Sequence, residues 1–401
     1  MIKLKIWLTL DNGERHLCGE MVCGDADARG QIRSEFRYHP AYLEASFAFP
    51  LDPVSLPLRQ QVFHCDRPRG IFAVFEDSLP DDWGRKLLVR KANLPRARQT
   101  LPEMLRALGG SGLGALAYFE NDPTQPDDSF ASVIHLQSLL DGAEQFESGK
   151  EVDDTDILLL LKAGSSPGGG RPKALVQTED GSQWIAKFPS IQDRLPVVQI
   201  EGATMELARR ASLTVPEYRL IACGSKKVLL VKRFDITPEG GRRHVVSFQT
   251  LLKAEDWYEA SYTHLFEVLA KNSSHPEKDL PALYRQMVFN ALIGNTDDHL
   301  KNFWMLHDSS GYFLAPAIDL LPDIHQRREH VLSFGHEGHF NPGVGKLKTL
   351  GKRLGISKPR AIVEEVRSSL SDCLEAFLAA GIDVSVSEPL RSAVDRNLTD
   401  S

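Results

Sequence analysis

The stretch Gly294-Asn295-Thr296-Asp297-Asp298-His299-Leu300-Lys301-Asn302-Phe303 decides how the rest of the chain is read. It gathers carboxylate, amide, imidazole and ammonium groups into one short polar segment between two apolar ones. Before it, Leu283, Met287, Val288, Ala291 and Leu292 recur on one helical face, so residues 282–293 are expected to form a helix. Gly294 is the expected stop, because glycine takes the left-handed cap conformation readily. After it, 303–307 reads as a strand, Asp308-Ser309-Ser310-Gly311 as a turn, and 312–318 as the returning strand.

That hairpin sets a register. If His307 faces Tyr312, then Asn302 faces Ala317, and Asp319 lies across the same open end. Facing residues of an antiparallel pair are about 4.5–5.5 Å apart at Cα, so Asn302 and Asp319 could share one metal ion. Asp297 precedes Asn302 by five residues. An Asp, four residues and an Asn is also the spacing of a kinase catalytic loop, where the Asp orients the acceptor hydroxyl and the Asn binds magnesium. Taken alone, the same residues also suit an ordinary polar turn.

Composition narrows the class. The chain has 401 residues, 42% hydrophobic and 25% charged, as soluble globular proteins do. Its length allows two or three domains. A formal net charge of −7 argues against a dedicated nucleic-acid binder. No apolar run of about 18 residues is present, and the first residues lack a signal-peptide core. Five scattered cysteines, with only Cys18 and Cys23 near each other, read as reduced structural thiols in a cytoplasm.

The N-terminal stretch is rich in expected strands: 2–10, 16–22, 31–38 and 45–51. Asp81 is an expected N-cap for a helix over 83–91, and a second helix covers 100–108. The glycine run 109–114 lacks the Lys-Ser/Thr of a phosphate loop and opens a strand, 115–119, so a structural turn is the better reading. Residues 121–130 look like a linker; 134–146 and 154–162 look helical.

The second informative stretch is Ala163-Gly164-Ser165-Ser166-Pro167-Gly168-Gly169-Gly170-Arg171-Pro172-Lys173. A Gly/Ser loop feeds a strand over 173–178. The returning strand, 184–188, carries Lys187. Backbone amides of such a loop can approach phosphates, and a strand lysine can neutralise them. A helix over 198–211 follows, with Glu201 and Glu206 as alternative partners for that lysine. Two strands come next, 217–222 and 226–234. Glycine loop, lysine strand, glutamate helix and two strands is the order of a kinase small lobe. From Ser247 onward helices dominate: 248–253, 262–269, 282–293, 359–380 and 387–396. The histidines at 325, 330, 336 and 339 match no zinc-helix spacing and read as solvated or locally hydrogen-bonded.

Together these segments resemble the HipA family, the serine/threonine kinase toxins of bacterial type II toxin–antitoxin systems. The resemblance rests on 75–83 with its Leu79-Pro80, 112–119, 168–173, 185–189, 230–235, 294–303 and 314–322, and so covers most of the chain. It implies an α+β, protein-kinase-like bilobed fold. Residues 1–122 would be a β-rich N-terminal accessory subdomain, 123–240 a nucleotide-binding small lobe with the Gly-rich loop, and 241–401 a mostly helical catalytic lobe.

It further implies that Asp297 is the catalytic residue and that Asn302 and Asp319 hold Mg2+. Gly168, Gly169, Gly170, Arg171, Lys173, Lys187, His299, Lys301 and Asp319 would bind ATP. Lys232, Arg233 and Phe234 would form the hinge beside adenine, and Glu201 would pair with Lys187. Ser165 or Ser166 would be the autophosphorylation site; a phosphoserine there, carrying about −1.5 to −2 charges, would replace or repel the ATP phosphates near Lys187 and Arg171. The implied partner is a small helix-turn-helix antitoxin that carries the DNA binding. The implied substrate is a protein such as an aminoacyl-tRNA synthetase. A small-molecule kinase and a catalytically silent binding or co-repressor module are the alternatives.

Overall fold

The computed structural model of the protein describes residues 1–65, 67–122, 131–149, 160, 170–256 and 260–399. Its contacts group the chain into two compact units. The first comprises residues 1–186, 233–253 and 306–311; the second comprises 187–232, 254–305 and 312–401. The expected small lobe, 123–240, is divided between the two units, and short later segments return to the first.

The first unit is built on an antiparallel sheet of five strands: β1 (Ile2–Thr9), β2 (Arg15–Cys23), β3 (Ser34–Tyr38), β4 (Phe63–Cys65) and β5 (Leu116–Phe119), in the order β4-β3-β2-β1-β5. Alternation of apolar and polar residues places Leu4, Ile6 and Leu8 of β1 in the core with Met21 and Phe36. Asp81 caps the helix Asp82–Lys91 by accepting the Gly84 N–H at 3.0 Å. The helix Leu101–Leu108 carries Pro102 in its first turn.

The expected strand over 45–51 is absent. Its backbone is satisfied by two tyrosines instead of a neighbouring strand. The Tyr42 hydroxyl donates to the Phe49 carbonyl at 2.8 Å and accepts the Phe49 N–H at 3.2 Å. The Tyr38 hydroxyl donates to the Leu56 carbonyl at 2.6 Å and accepts the Leu51 N–H at 2.9 Å.

The glycine run at 109–114 is structural. The Arg233 guanidinium donates to the Gly112 carbonyl at 3.2 Å, and Arg242 donates to the Gly110 carbonyl at 3.0 Å. The Gly114 N–H donates to Asp235 at 2.7 Å. Gly114 has φ of 77°, and a Cβ there would lie 2.7 Å from a Val245 methyl. Both geometry and space therefore call for glycine. Burial alone would raise the Asp235 carboxyl's pKa, but the Arg233 guanidinium outweighs it and holds it below the usual carboxylate range. Asp77, also buried, accepts from the Ser247 N–H (2.8 Å), the Ser247 hydroxyl (2.7 Å) and the Thr250 hydroxyl (2.7 Å). Segment 233–253 is thereby tied into the first unit's core.

The second unit is mostly helical. The helix Val197–Arg210 packs on the antiparallel pair Tyr218–Cys223 and Lys226–Lys232 through Val198, Met205, Leu229 and Val231. The central helix is Pro276–Ile293, longer than expected. Its early Pro281 falls where the amide would otherwise bond four residues back. The single helix expected over 359–380 is two, Pro359–Leu370 and Cys373–Ala379, interrupted at Ser371-Asp372. The last helix is Val384–Leu398. Among the described residues no helix is long and apolar enough to cross a membrane. The helix expected over 154–162 lies outside the described residues, apart from Leu160.

Candidate active site

The site starts where the central helix stops. Gly294 adopts φ 79°, ψ 38°, and its N–H donates to the Asn290 carbonyl at 3.1 Å. The polar stretch that follows is pinned from beneath by a residue that sequence reasoning passed over. Asp298 is fully buried. Its carboxylate accepts from the Tyr262 hydroxyl at 2.7 Å and the Leu332 N–H at 3.2 Å, and it meets His330 Nδ1 at 3.1 Å. Burial first, and the Asp298 charge second, push the Tyr262 phenol well above its usual range, so it stays a donor. With Asp298 turned inward, Asp297 is turned out: its side chain is 60% exposed.

The chain then makes a tight 3-10 turn, Leu300–Asn302. The Asn302 amide Nδ2 donates to the Asp297 carbonyl at 2.8 Å. That bond fixes the side chain and leaves Asn302 Oδ1 buried with no hydrogen-bond partner among the described residues. A buried carbonyl oxygen without a donor is costly unless something binds it. The hairpin follows as Trp304–Asp308 and Gly311–Leu314, and the Ala315 N–H donates to the Trp304 carbonyl at 2.9 Å. That bond pairs 304 with 315, as the expected register does; past Leu314 the chain leaves the hairpin, and the Ala317 N–H donates to the Thr214 carbonyl at 2.8 Å.

Asp319 lies beyond the hairpin with φ of 56°, a left-handed conformation that a non-glycine residue adopts at a cost and that often marks a working site. Its Oδ1 meets Lys187 Nζ at 3.1 Å, and the same ammonium donates to Glu201 Oε1 at 2.5 Å. The glutamate alternatives are thus separated by geometry. Glu201 holds the lysine, whereas Glu206 binds Arg209, Arg210 and Tyr218. Hydrogen bonding from Arg209 leads in pulling the Glu206 carboxyl down to about 2, with burial opposing it. For Lys187, burial alone would favour the neutral amine. The charges of Asp319 and Glu201 outweigh it and hold the ammonium above the ordinary lysine range.

The remaining candidates sit as follows. Lys173 is buried with its ammonium 2.5 Å from Asp81. Arg233 is buried against Asp235, at 2.9 Å from Nε. The chain passes from one unit to the other between Lys232, which meets Glu217 at 3.2 Å, and Arg233; Phe234 follows. Gly170 and Arg171 precede the strand Lys173–Gln177, and among the described residues no atom lies within 4 Å of where a Gly170 Cβ would be. His299 and Lys301 flank Leu300 in the 3-10 segment and are partly exposed. Gly168, Gly169, Ser165 and Ser166 lie outside the described residues. His330 and His339 are locally engaged, the latter through Nδ1 with the His330 carbonyl at 3.0 Å. Arg327, absent from the sequence expectations, reaches Asp297 with Nη1 at 3.1 Å.

Oxygen donors suit a hard cation such as Mg2+. The unpartnered Asn302 oxygen and the Asp319 carboxylate are such donors, so the residues fit the ion that the sequence pattern implies.

Residues 165–374 match the model of the HipA-like C-terminal domain, and residues 17–119 match that of the HipA N-terminal domain. The chain belongs to the HipA family. Among curated relatives, "Putative kinase Y4dM" of Sinorhizobium fredii is 29% identical over 268 residues, 62% of each chain. The serine/threonine-protein kinase toxin HipA of Shewanella oneidensis is 24% identical over 292 residues, 66% of each. The match thus spans a little under two thirds of these relatives' length. The Shewanella HipA solved in complex with HipB and operator DNA covers 98% of this chain, with a TM-score of 0.69 at 18% identity. The fold is therefore the α+β, protein-kinase-like fold of HipA.

Proposed function

We propose that this HipA-family chain is an ATP- and Mg2+-dependent protein serine/threonine kinase, the toxin of a toxin–antitoxin pair. The observation that carries the reading is the Lys187 ammonium held between Glu201 at 2.5 Å and Asp319 at 3.1 Å, on the same unit as the Asp297–Asn302 turn. Bound Mg-ATP supplies the transferable phosphoryl group and the metal charge that neutralises it. Glu201 orients Lys187, and Lys187 binds phosphate oxygens. Asn302 Oδ1 and Asp319 hold the metal. Asp297 receives the acceptor hydroxyl and orients it. His299 and Lys301 add positive charge beside the phosphates.

Gly168, Gly169, Gly170 and Arg171 form the phosphate-side loop, and Lys232, Arg233 and Phe234 the hinge beside adenine. Lys173 and Arg233, whose side chains are committed to Asp81 and Asp235, take part through their backbone. Ser165 or Ser166 is the proposed self-phosphorylation site. Support for the wider reading comes from the kinase names of the curated relatives and from the HipA complex with HipB and operator DNA. The proposed partner is a small helix-turn-helix antitoxin, so that DNA is met only through it. The proposed substrate is a protein such as an aminoacyl-tRNA synthetase, and the proposed compartment is the cytoplasm.

The test is incubation of wild-type and Asp297→Ala protein with Mg-ATP, followed by phosphopeptide mass spectrometry. Phosphate on Ser165 or Ser166 in the wild type alone is the expected result. Equal labelling of both proteins would remove Asp297 from its role. No labelling together with no Mg-ATP binding would favour a silent module.

A further inference from the structure

Asp297 is exposed, yet its carboxylate has a partner. Arg327 Nη1 stands 3.1 Å from Asp297 Oδ1, where an acceptor hydroxyl would have to come. The loop that presents Arg327 is built for that placement. Asp323 accepts the Arg327 N–H at 2.9 Å and the Arg328 N–H at 2.8 Å, one on each carboxylate oxygen. The residues flanking Arg327 both adopt left-handed backbone: Gln326 has φ of 54° and Arg328 of 64°. Neither is glycine, so the bend carries strain. The far end of the loop is fastened to the catalytic turn itself, with the Val331 N–H on the Thr296 carbonyl at 3.2 Å and His330 on Asp298. The backbone around Arg327 is therefore held, and its exposed side chain is the part free to turn.

We propose that Arg327 selects among acceptors supplied by other molecules: it holds the place of the acceptor hydroxyl at Asp297, and it yields that place more readily to a serine- or threonine-bearing segment with a carboxylate beside the hydroxyl than to one without, the chain's own Ser165-Ser166 included. This rests on the kinase reading given above. Arg327 forms no covalent bond and takes no proton; it is a positioning residue. The side chains of Arg327 and Asp297 are 52% and 60% exposed, and an exposed ion pair is weak. Exchanging Asp297 for another carboxylate is then close to balanced. A neutral acceptor breaks the pair without replacing it. A planar guanidinium also pairs with a carboxylate through two parallel N–H bonds, which adds orientation to attraction. Asp323 is spent on backbone N–H groups, and His325, Arg328 and Glu329 are exposed along the same loop.

The experiment uses full-length wild-type, Arg327→Gln and Arg327→Lys proteins with Mg-ATP. Three serine peptides differ only in flanking Glu, Gln or Lys, and Mg-ATP affinity is measured in parallel. The wild type is expected to favour the Glu peptide over the Gln peptide by about fivefold in kcat/KM, the scale of an exposed ion pair, with the difference in KM. Arg327→Gln should lose that preference, gain on the neutral peptide and keep its Mg-ATP affinity. Arg327→Lys should restore part of the preference. An unchanged preference in Arg327→Gln overturns the proposal, as does a wild type that labels itself but favours no acidic peptide. A wild type that transfers phosphate to nothing, itself included, overturns the kinase reading and this inference with it.

Discussion

Lys187 serves two carboxylates at once, and the consequences are separable by substitution. Its side chain is 13% exposed, and those of Glu201 and Asp319 are 5% and 14% exposed, so the cluster is nearly dry. Glu201→Gln replaces a charge-assisted bond with a neutral one, worth about 1.5–3 kcal/mol. Phosphate transfer is expected to fall about tenfold to hundredfold in kcat/KM. Glu206→Gln on the same helix should leave transfer unchanged, because Glu206 serves Arg209, Arg210 and Tyr218. A radiolabel transfer assay on both variants checks this, and equal losses would undo the assignment of Glu201. The sign of the lysine shift matters too. A raised pKa keeps the ammonium charged up to and beyond its unfolded value, so the stability from this cluster is lost only as pH climbs through the folded pKa. The pH profile of transfer should therefore show no limb from Lys187 below about pH 9.

Among the elements, the strand His244–Ser247 carries a pH dependence of its own. Burial drives the His244 imidazole down to about 3, with its bond to the Leu51 carbonyl opposing and His307 adding to the shift. The unfolded chain takes up that proton near pH 6.5 and the folded one does not. Stability is thus fully present above pH 6.5 and falls as the pH drops towards 3, by about 2 kcal/mol at pH 5. His307, stacked on Phe49 and pushed down to about 4 chiefly by burial, adds a second limb in the same direction. Urea unfolding at pH 7 and pH 5 measures the loss, and equal midpoints would show that neither imidazole is sealed from water.

The elements also show what a sequence can disclose. The Gly294 helix end and the hairpin register were legible because period, turn residues and spacing are local signals. The 45–51 strand was not, because Tyr38 and Tyr42 satisfy that backbone from outside the segment, and alternation alone is blind to such partners. Glu201 and Glu206 could not be told apart while both were merely carboxylates on one helix. Arg327 gave no signal, since its position depends on an irregular loop folded by Asp323.

At the scale of the molecule, the chain crosses between its two units at 186/187, 232/233, 253/254, 305/306 and 311/312. No order of motifs along the sequence announces that, because each return is secured by distant partners such as Asp77 with Ser247 and Thr250. Residues 1–186 alone would leave the Asp77 carboxylate without these donors, and a buried unsatisfied charge costs several kcal/mol. That fragment is expected to be unfolded or aggregated by circular dichroism, and a sharp cooperative melt would contradict it. The same interlacing bears on proteolysis. A protease site engineered between Ala186 and Lys187 would yield two bands under denaturing conditions but one peak on gel filtration. The severed amino-terminal piece stays gripped by 233–253 and 306–311, which travel with the other half. A single cut would nick this protein without taking it apart.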